Sequence, residues 1–267
     1  MSAESQKPRP RALVTGASSG IGAAFAERLA RDEYDVILVA RDRGRLEKLA
    51  AKLEKSHRVQ AEVLSADLTR ASDLAIVESR VAGDPGLDVL VNNAGFGTAG
   101  AFARLDPDHE EEEIRLNVVA VVRLTRACLP GMIARRGGAI INVSSMAGFQ
   151  PGPFNATYCA TKAYVNSFTE ALHEELRGTG VKVQALCPGF TRTEFQKRAG
   201  LDTSHLPDFV WMAPEDVVDA SLTGLGRDVV LVPGYANRAV AAMATAIPRS
   251  VTRRIAGGIL RKRFDKT

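Results

Sequence analysis

Tyr158 and Lys162 stand four positions apart in the run Tyr-Cys-Ala-Thr-Lys. On a helix that spacing stacks both side chains on one face. An ammonium held beside a phenol favours the phenolate and lowers a pKa that starts near about 10. A tyrosine tuned in this way can give up and take back a proton near neutral pH. Any helix surface can also carry such a pair as an ordinary contact, so the rest of the chain has to decide between the two readings.

A second group of residues has the character of an anion site. Gly16, Ser18, Ser19, Gly20, Ile21 and Gly22 follow the apolar run Arg11 to Thr15 and precede a helical pattern from Ala23 to Arg31. Glycines there permit a tight turn and close backbone approach, and the free N–H groups of a helix N-terminus suit a pyrophosphate. The spacing is Gly-x3-Gly-x-Gly. At the end of the next strand, where a carboxylate would receive a ribose 2′-hydroxyl, the chain has Ala40 and then Arg41. A guanidinium suits a 2′-phosphate instead, which favours NADP(H) over NAD(H). A solvated loop arginine is the plainer alternative.

The elements that must position these groups alternate strand and helix. Strands are predicted at Arg11 to Thr15, Asp35 to Ala40, Val59 to Ser65, Leu87 to Val91, Gly138 to Val143, Val181 to Cys187 and Asp228 to Val232. Helical patterns separate them, and Asp106-Pro107 starts a long one with an N-cap and a Pro at N1. This order predicts an α/β fold: one doubly wound, Rossmann-type parallel sheet of about seven strands, with helices on both faces. Ligands of such sheets sit beyond the carboxyl ends of the strands. The Gly16 turn, Arg41, Asp67-Leu68 and the turn Asn92 to Gly95 all fall there. Glu110 to Glu113 crowd the first turns of the long helix; dipole complementarity and solvation explain them more simply than a metal site. Asn117 lies on that helix among valines, where a buried amide needs a partner.

Taken in order and spacing, Thr15 to Gly22, Asp67-Leu68, Asn92 to Gly95, Asn117, Val143 to Gly148, Tyr158 to Lys162 and Pro188 to Thr193 resemble the short-chain dehydrogenase/reductase family over about residues 11 to 233. The runs Glu174 to Val181 and Leu186 to Gly189 look most like a bacterial branch of mostly uncharacterised members. The resemblance implies a catalytic tetrad of Asn117, Ser145, Tyr158 and Lys162, with Ser144 the lesser candidate for the serine. It implies that Asp67 and Leu68 flank an adenine, and that Asn93, Ala94, Gly95, Pro188, Gly189, Thr191 and Thr193 line the cofactor. Tyr158 and Lys162 would also reach the nicotinamide ribose. The chain departs from many NADP-using members in having Ser19, and no basic residue, before the middle glycine. The implied activity is carbonyl–alcohol interconversion with NADP(H). A regulatory or scaffold protein that binds NADP without turnover is the competing reading.

Phe96, Phe149, Phe190, Phe195, Phe209 and Trp211 fall in loops after strand ends or in the variable segment after Thr193, and are expected to line a pocket for an apolar substrate. The resemblance also implies a homodimer or homotetramer that pairs through the helices carrying Asn117 and Tyr158.

The 267 residues carry a net charge of +4. From Tyr235 onward the chain sums to +7, so the rest is mildly acidic, against a nucleic-acid-binding body. Cys128, Cys159 and Cys187 are scattered, without metal-ligand spacing, and point to a reducing compartment. No apolar run reaches the roughly 20 residues that span a bilayer, and Met1 to Pro10 has no apolar stretch, so the expectation is a cytoplasmic protein with a flexible lead at 1–10, a main domain at 11–233 and a basic extension at 234–267. In that extension Val251, Ile255 and Ile259 recur at helical spacing beside Arg253, Arg254, Arg261, Lys262 and Arg263. Gly257-Gly258 is expected to interrupt the helix. Internal packing is the first expectation for it, and peripheral contact with an anionic membrane at its inner face the second.

Overall fold

The computed structural model describes residues 9–200, 203, 206–248, 250–254 and 257–258. Seven parallel strands form one sheet in the order β3-β2-β1-β4-β5-β6-β7. They are β1 (Arg11–Thr15), β2 (Asp35–Ala40), β3 (Ala61–Ser65), β4 (Leu87–Asn92), β5 (Ala139–Val143), β6 (Lys182–Leu186) and β7 (Val230–Leu231). Alternation along each strand sends neighbours to opposite faces. Ala12 and Val14 join one apolar layer while Leu13 joins the other.

The first layer packs under α1 (Gly20–Arg31), α2 (Arg43–His57) and α8 (Pro214–Gly224), through Phe25, Leu29, Leu46, Leu53, Val217 and Val218. The second packs under α3 (Ala71–Ala82), α5 (Ala120–Ala134) and α6 (Ala156–Glu175), through Leu74, Val77, Leu124, Met132 and Leu172. Phe25 and Leu38 are fully buried, each contributing about 1.5–3 kcal/mol over an exposed position. The chain-reversal signals are local. Asp42 accepts from the Arg45 amide at the start of α2, and Asp106 from the Asp108 amide at the start of α4 (Pro107–Ile114), with Pro107 in its first turn.

Between α4 and α5 the helix widens into a π turn, Arg115–Val119, and the whole stretch Pro107–Ala134 is long and apolar enough to cross a bilayer. The expectation that no segment reaches that length is corrected here: counting contiguous apolar residues misses a helix whose charges cluster at its start. Its Ala120, Leu124, Cys128 and Met132 belong to the core layer on the sheet.

After β6 come the short α7 (Phe195–Arg198) and then α8, and after β7 comes α9 (Tyr235–Ala246). α9 lies back against the body. Asn237 packs on Gly189, Arg238 Nε donates to Val232 O at 2.9 Å, and Gln150 Nε2 donates to Ala244 O. Residues 250–254 and 257–258 are helical, and the residues on either side of Gly257-Gly258, where a break is expected, lie outside the described residues. Ile255, Ile259, Arg261, Lys262 and Arg263 lie outside the described residues, as do residues 1–8.

Candidate active site

The carboxyl ends of β1, β4 and β5 meet at the point where strand order reverses, and a buried polar framework fixes them there. Thr15 Oγ1 donates to Val91 O at 3.2 Å and accepts from the amides of Asn93 and Ala94 at 2.9 and 3.0 Å. Asn93 Nδ2 returns to Thr15 O at 2.8 Å. Asn92 and Asn142 face each other across β4 and β5, joined at 2.9 Å, and reach out to Thr125 on α5 and Thr169 on α6. Four side chains on four elements thus set how α5 and α6 sit on the sheet.

The Gly16 turn opens directly into α1. A Cβ on Gly22 would stand 2.3 Å from Gly16 O, so only glycine allows the helix to start this close to the strand end. Ser19 occupies the N-cap position without a side-chain cap, which leaves first-turn N–H groups for a phosphate. Arg41 is exposed at the end of β2, and its guanidinium makes no ion pair among the described residues. Ser65 Oγ donates to its backbone oxygen at 3.2 Å. These features fit a dinucleotide with a 2′-phosphate. Asp67 Oδ1 is occupied by the Thr69 amide and hydroxyl. The Leu68 side chain is buried in the core layer, so only its backbone faces outward ligands. Thr193 lies against Gly20, Thr191 Oγ1 donates to Gly189 O, and Pro188 is buried.

Tyr158 and Lys162 share one face of α6, as their spacing requires. Gly97 makes room for the tyrosine, since a Cβ there would meet the ring at 2.8 Å. The Phe195 ring covers it, with centroids 5.5 Å apart. Ser145 Oγ accepts from the Ala147 amide at 3.1 Å and stands beside the Tyr158 hydroxyl, whose pKa it pulls down. Ser144 turns the other way, donating to Lys162 O at 3.0 Å, which separates the two serine candidates. Lys162 is buried, and its Nζ donates to Val143 O at 2.9 Å. Asn117 sits in the π turn, 1% exposed. Its amide donates to Phe96 O at 2.8 Å and Thr161 Oγ1 at 3.1 Å, and accepts from the Phe96 amide at 3.2 Å.

The electrostatics correct one expectation. Burial pushes the Tyr158 phenol well above its ordinary range, against the opposing hydrogen bond from Ser145. Burial also lowers Lys162 to about 8. The ammonium lies 5.6 Å from the ring centroid, turned to a backbone carbonyl, so desolvation outweighs its pull on the phenol. The run Glu110 to Glu113 also departs from its expected solvation. Glu111 and Glu112 are exposed, whereas Glu110 and Glu113 are buried. Among the described residues no group of three His, Cys, Asp or Glu side chains could hold a metal ion.

The aromatic residues do not form one lining. Among the described residues only Phe195 of this set makes a ring contact with Tyr158. Phe96 stacks on His109 at 4.8 Å, and Phe190 tilts against Trp211, over which Arg192 sits. Phe149 packs toward the cluster of Cys187, Val232 and Ala241, and Phe209 is 82% exposed. A cleft of about 340 Å³ opens between Phe149-Gln150 and the Thr245 to Pro248 segment. Several contributors escaped the sequence reading: Thr98, Gly97, Asn237, and Arg45, whose ion pair to Glu194 at 2.9 Å ties the start of α2 to the segment after Thr193. An i, i+7 spacing of Glu110 to Asn117 was the one available signal, since it places a carboxylate on the face of a buried amide.

The short chain dehydrogenase family profile matches residues 10–203. Among solved structures, a short-chain dehydrogenase from Sphingobium yanoikuyae in complex with NADPH is 40% identical, with a TM-score of 0.81 over 90% of this chain and 97% of that one. The bulky-bulky ketone specific alcohol dehydrogenase from Comamonas testosteroni is 36% identical, with a TM-score of 0.77 over 91% and 96%. The very-long-chain 3-oxoacyl-CoA reductase of Anas platyrhynchos is 35% identical over 221 residues, 80% of this chain and 68% of that protein. The alignment to its Bos taurus counterpart, 35% identical over 70% of this chain, spans 61% of that protein.

Proposed function

The chain belongs to the short-chain dehydrogenase/reductase family and is thus an NAD(P)-dependent oxidoreductase of alcohols and ketones, and we propose that it prefers NADP(H) and acts on an apolar carbonyl compound of moderate size. The observation that carries the reading is the single cluster in which the Tyr158 hydroxyl meets Ser145, with Lys162 buried beside it and Asn117 held behind. Arg41, exposed and without an ion partner among the described residues at the end of β2, supports the 2′-phosphate.

When bound, the nicotinamide supplies or accepts a hydride at the carbonyl carbon. The protein handles the proton. Tyr158 Oη gives its proton to the developing alkoxide in reduction and takes it back in oxidation. Ser145 Oγ hydrogen-bonds the same oxygen and stabilises charge as it forms. The raised Tyr158 pKa keeps the phenol protonated through neutral pH, which suits the reductive direction. Lys162 Nζ, anchored on Val143 O, would reach a bound nicotinamide ribose, and Asn117 holds the loop at Phe96 that borders the cluster. Phe195 packs on the phenol ring. The cleft beside Phe149 and the exposed Phe190 favour an apolar substrate over a charged one. Oxidation of NADPH across a panel of ketones and aldehydes tests this. Turnover of apolar ketones is expected. Preference for a small charged keto acid refutes the substrate class, and NADPH binding without any turnover returns the scaffold reading.

Two interactions belong to the same proposal. Ile114, Val119, Ile133 and Tyr164 are each at least 40% exposed along α4, the π turn, α5 and α6. That apolar face supports a homo-oligomer through these helices. On α9 and just beyond, Tyr235, Val240, Met243 and Val251 are exposed while Ala241 is buried. One side of this segment packs on the body, and the other side supports peripheral contact with an anionic bilayer.

A further inference from the structure

α4 turns two of its four consecutive glutamates inward. Glu113 is fully buried and Glu110 nearly so. Glu113 Oε2 accepts from the Thr98 amide and the Thr98 hydroxyl, both at 2.9 Å. Glu110 Oε2 accepts from the Thr157 hydroxyl, one residue before Tyr158. The second oxygen of each carboxyl, Glu113 Oε1 and Glu110 Oε1, is buried and has no hydrogen-bond partner. Their i, i+3 spacing puts both carboxyls on one face of the helix. Two ionised carboxylates there would repel each other in a medium that already disfavours charge. A proton on Glu113 removes that repulsion.

The threonines that hold these carboxyls adjoin the catalytic cluster: Thr157 precedes Tyr158, and Thr98 follows Gly97, which lies against the Tyr158 ring. Lys162 is a buried ammonium whose Nζ donates to a backbone carbonyl, and no carboxylate lies within ion-pair distance of it among the described residues. Such a charge needs a counter-charge nearby. Glu113 acts on Lys162 and on Tyr158 electrostatically. The other titratable groups facing these two are Cys159 on α6 and Cys187 after β6, and burial pushes both thiols up, to about 11 and about 12. They stay neutral when the cluster works. His109, on the outer side of α4, pairs with Glu112 at 3.5 Å instead.

We propose that Glu113 is the carboxyl of this pair that takes up and releases a proton, and that its ionised form is the counter-charge of Lys162. Glu113 is then a positioning residue for the proton on Tyr158, and it sets the pH range in which that tyrosine acts. The inference rests on the roles proposed above for Tyr158 and Lys162. The electrostatics agree with the geometry: burial, with Glu110 adding to it, raises Glu113 to about 7 against the two hydrogen bonds from Thr98.

The sign of the effect follows. A negative charge at Glu113 holds protons on both Lys162 and Tyr158. Glu113→Gln removes it, so both groups release protons at lower pH, and the alkaline limb of ketone reduction moves down by roughly one pH unit. Glu110→Gln removes the repulsion on Glu113, which then ionises more readily at neutral pH, so the limb stays or moves up. Mere packing damage would lower the rate of both variants without moving their limbs in different directions. The experiment is therefore paired. Infrared titration of the full chain should show a protonated carboxyl band that disappears near neutral pH, and that is absent in Glu113→Gln. Thr98→Val, which removes one donor to the ionised form and spares both carboxyls, should move that band to higher pH. The pH profiles of kcat/KM for the two glutamine variants supply the second arm. Loss of the neutral-range band in the wild type, its persistence in Glu113→Gln, an unmoved band in Thr98→Val, or equal limb shifts in both glutamine variants would overturn the proposal. Because the infrared arm needs no turnover, a chain inactive on every ketone would refute the proposed function and leave this measurement to decide the carboxyl pair by itself.

Discussion

Replacing Tyr158 with Phe isolates the proton from everything else the side chain does. The ring is held by Gly97 on one side and by Phe195, 5.5 Å away, on another. Phe keeps both contacts. What is lost is one hydroxyl and at most one hydrogen bond, to Ser145, while Ser145 keeps the Ala147 amide at 3.1 Å. The net folding cost of such a bond is about 0.5–1.5 kcal/mol. Removing a general acid costs roughly 10²–10⁴-fold in rate, about 2.7–5.4 kcal/mol of barrier. The two effects therefore separate clearly. Thermal unfolding and NADPH affinity by fluorescence titration should stay close to the wild type. The kcat for ketone reduction, followed by NADPH absorbance, should fall at least a hundredfold. A variant keeping more than about a tenth of kcat would show that another group delivers the proton, since the phenol would then contribute less than any general acid should.

Arg41→Ala is expected to weaken NADPH binding and leave NADH little changed; equal losses for both would mean that the arginine serves the fold. Val119→Arg together with Tyr164→Glu should convert an oligomer seen by sedimentation at micromolar concentration into a smaller species, and a wild-type monomer under those conditions would rule out the pairing. The intact chain should float with anionic liposomes at low salt and lose that binding when shortened to end at Pro248. Binding that survives the truncation, or none by the intact chain, rejects the membrane contact.

Much of the fold was legible because its signals are local. The alternation of Ala12, Leu13 and Val14, the glycine turn at Gly16 to Gly22 and the Asp106-Pro107 start each depend on residues a few positions apart, so β1 and the start of α4 fall where expected, while α1 starts three residues early, at Gly20. The spacing of Tyr158 and Lys162 likewise fixed that the two share a helix face, whatever surrounds them. What surrounds them was decided by the tertiary structure. Four glutamates in a row cover every side of a helix turn, so local polarity cannot say which side will be buried. Packing against Thr98 and α6 turned Glu113 inward and left Ile114 exposed at 44%, the reverse of their polarities. The same packing dried the site enough that burial, not the neighbouring ammonium, governs the Tyr158 proton. Desolvation depends on all the neighbours a group acquires at once, most of them distant in the chain, and no spacing within a single helix encodes it.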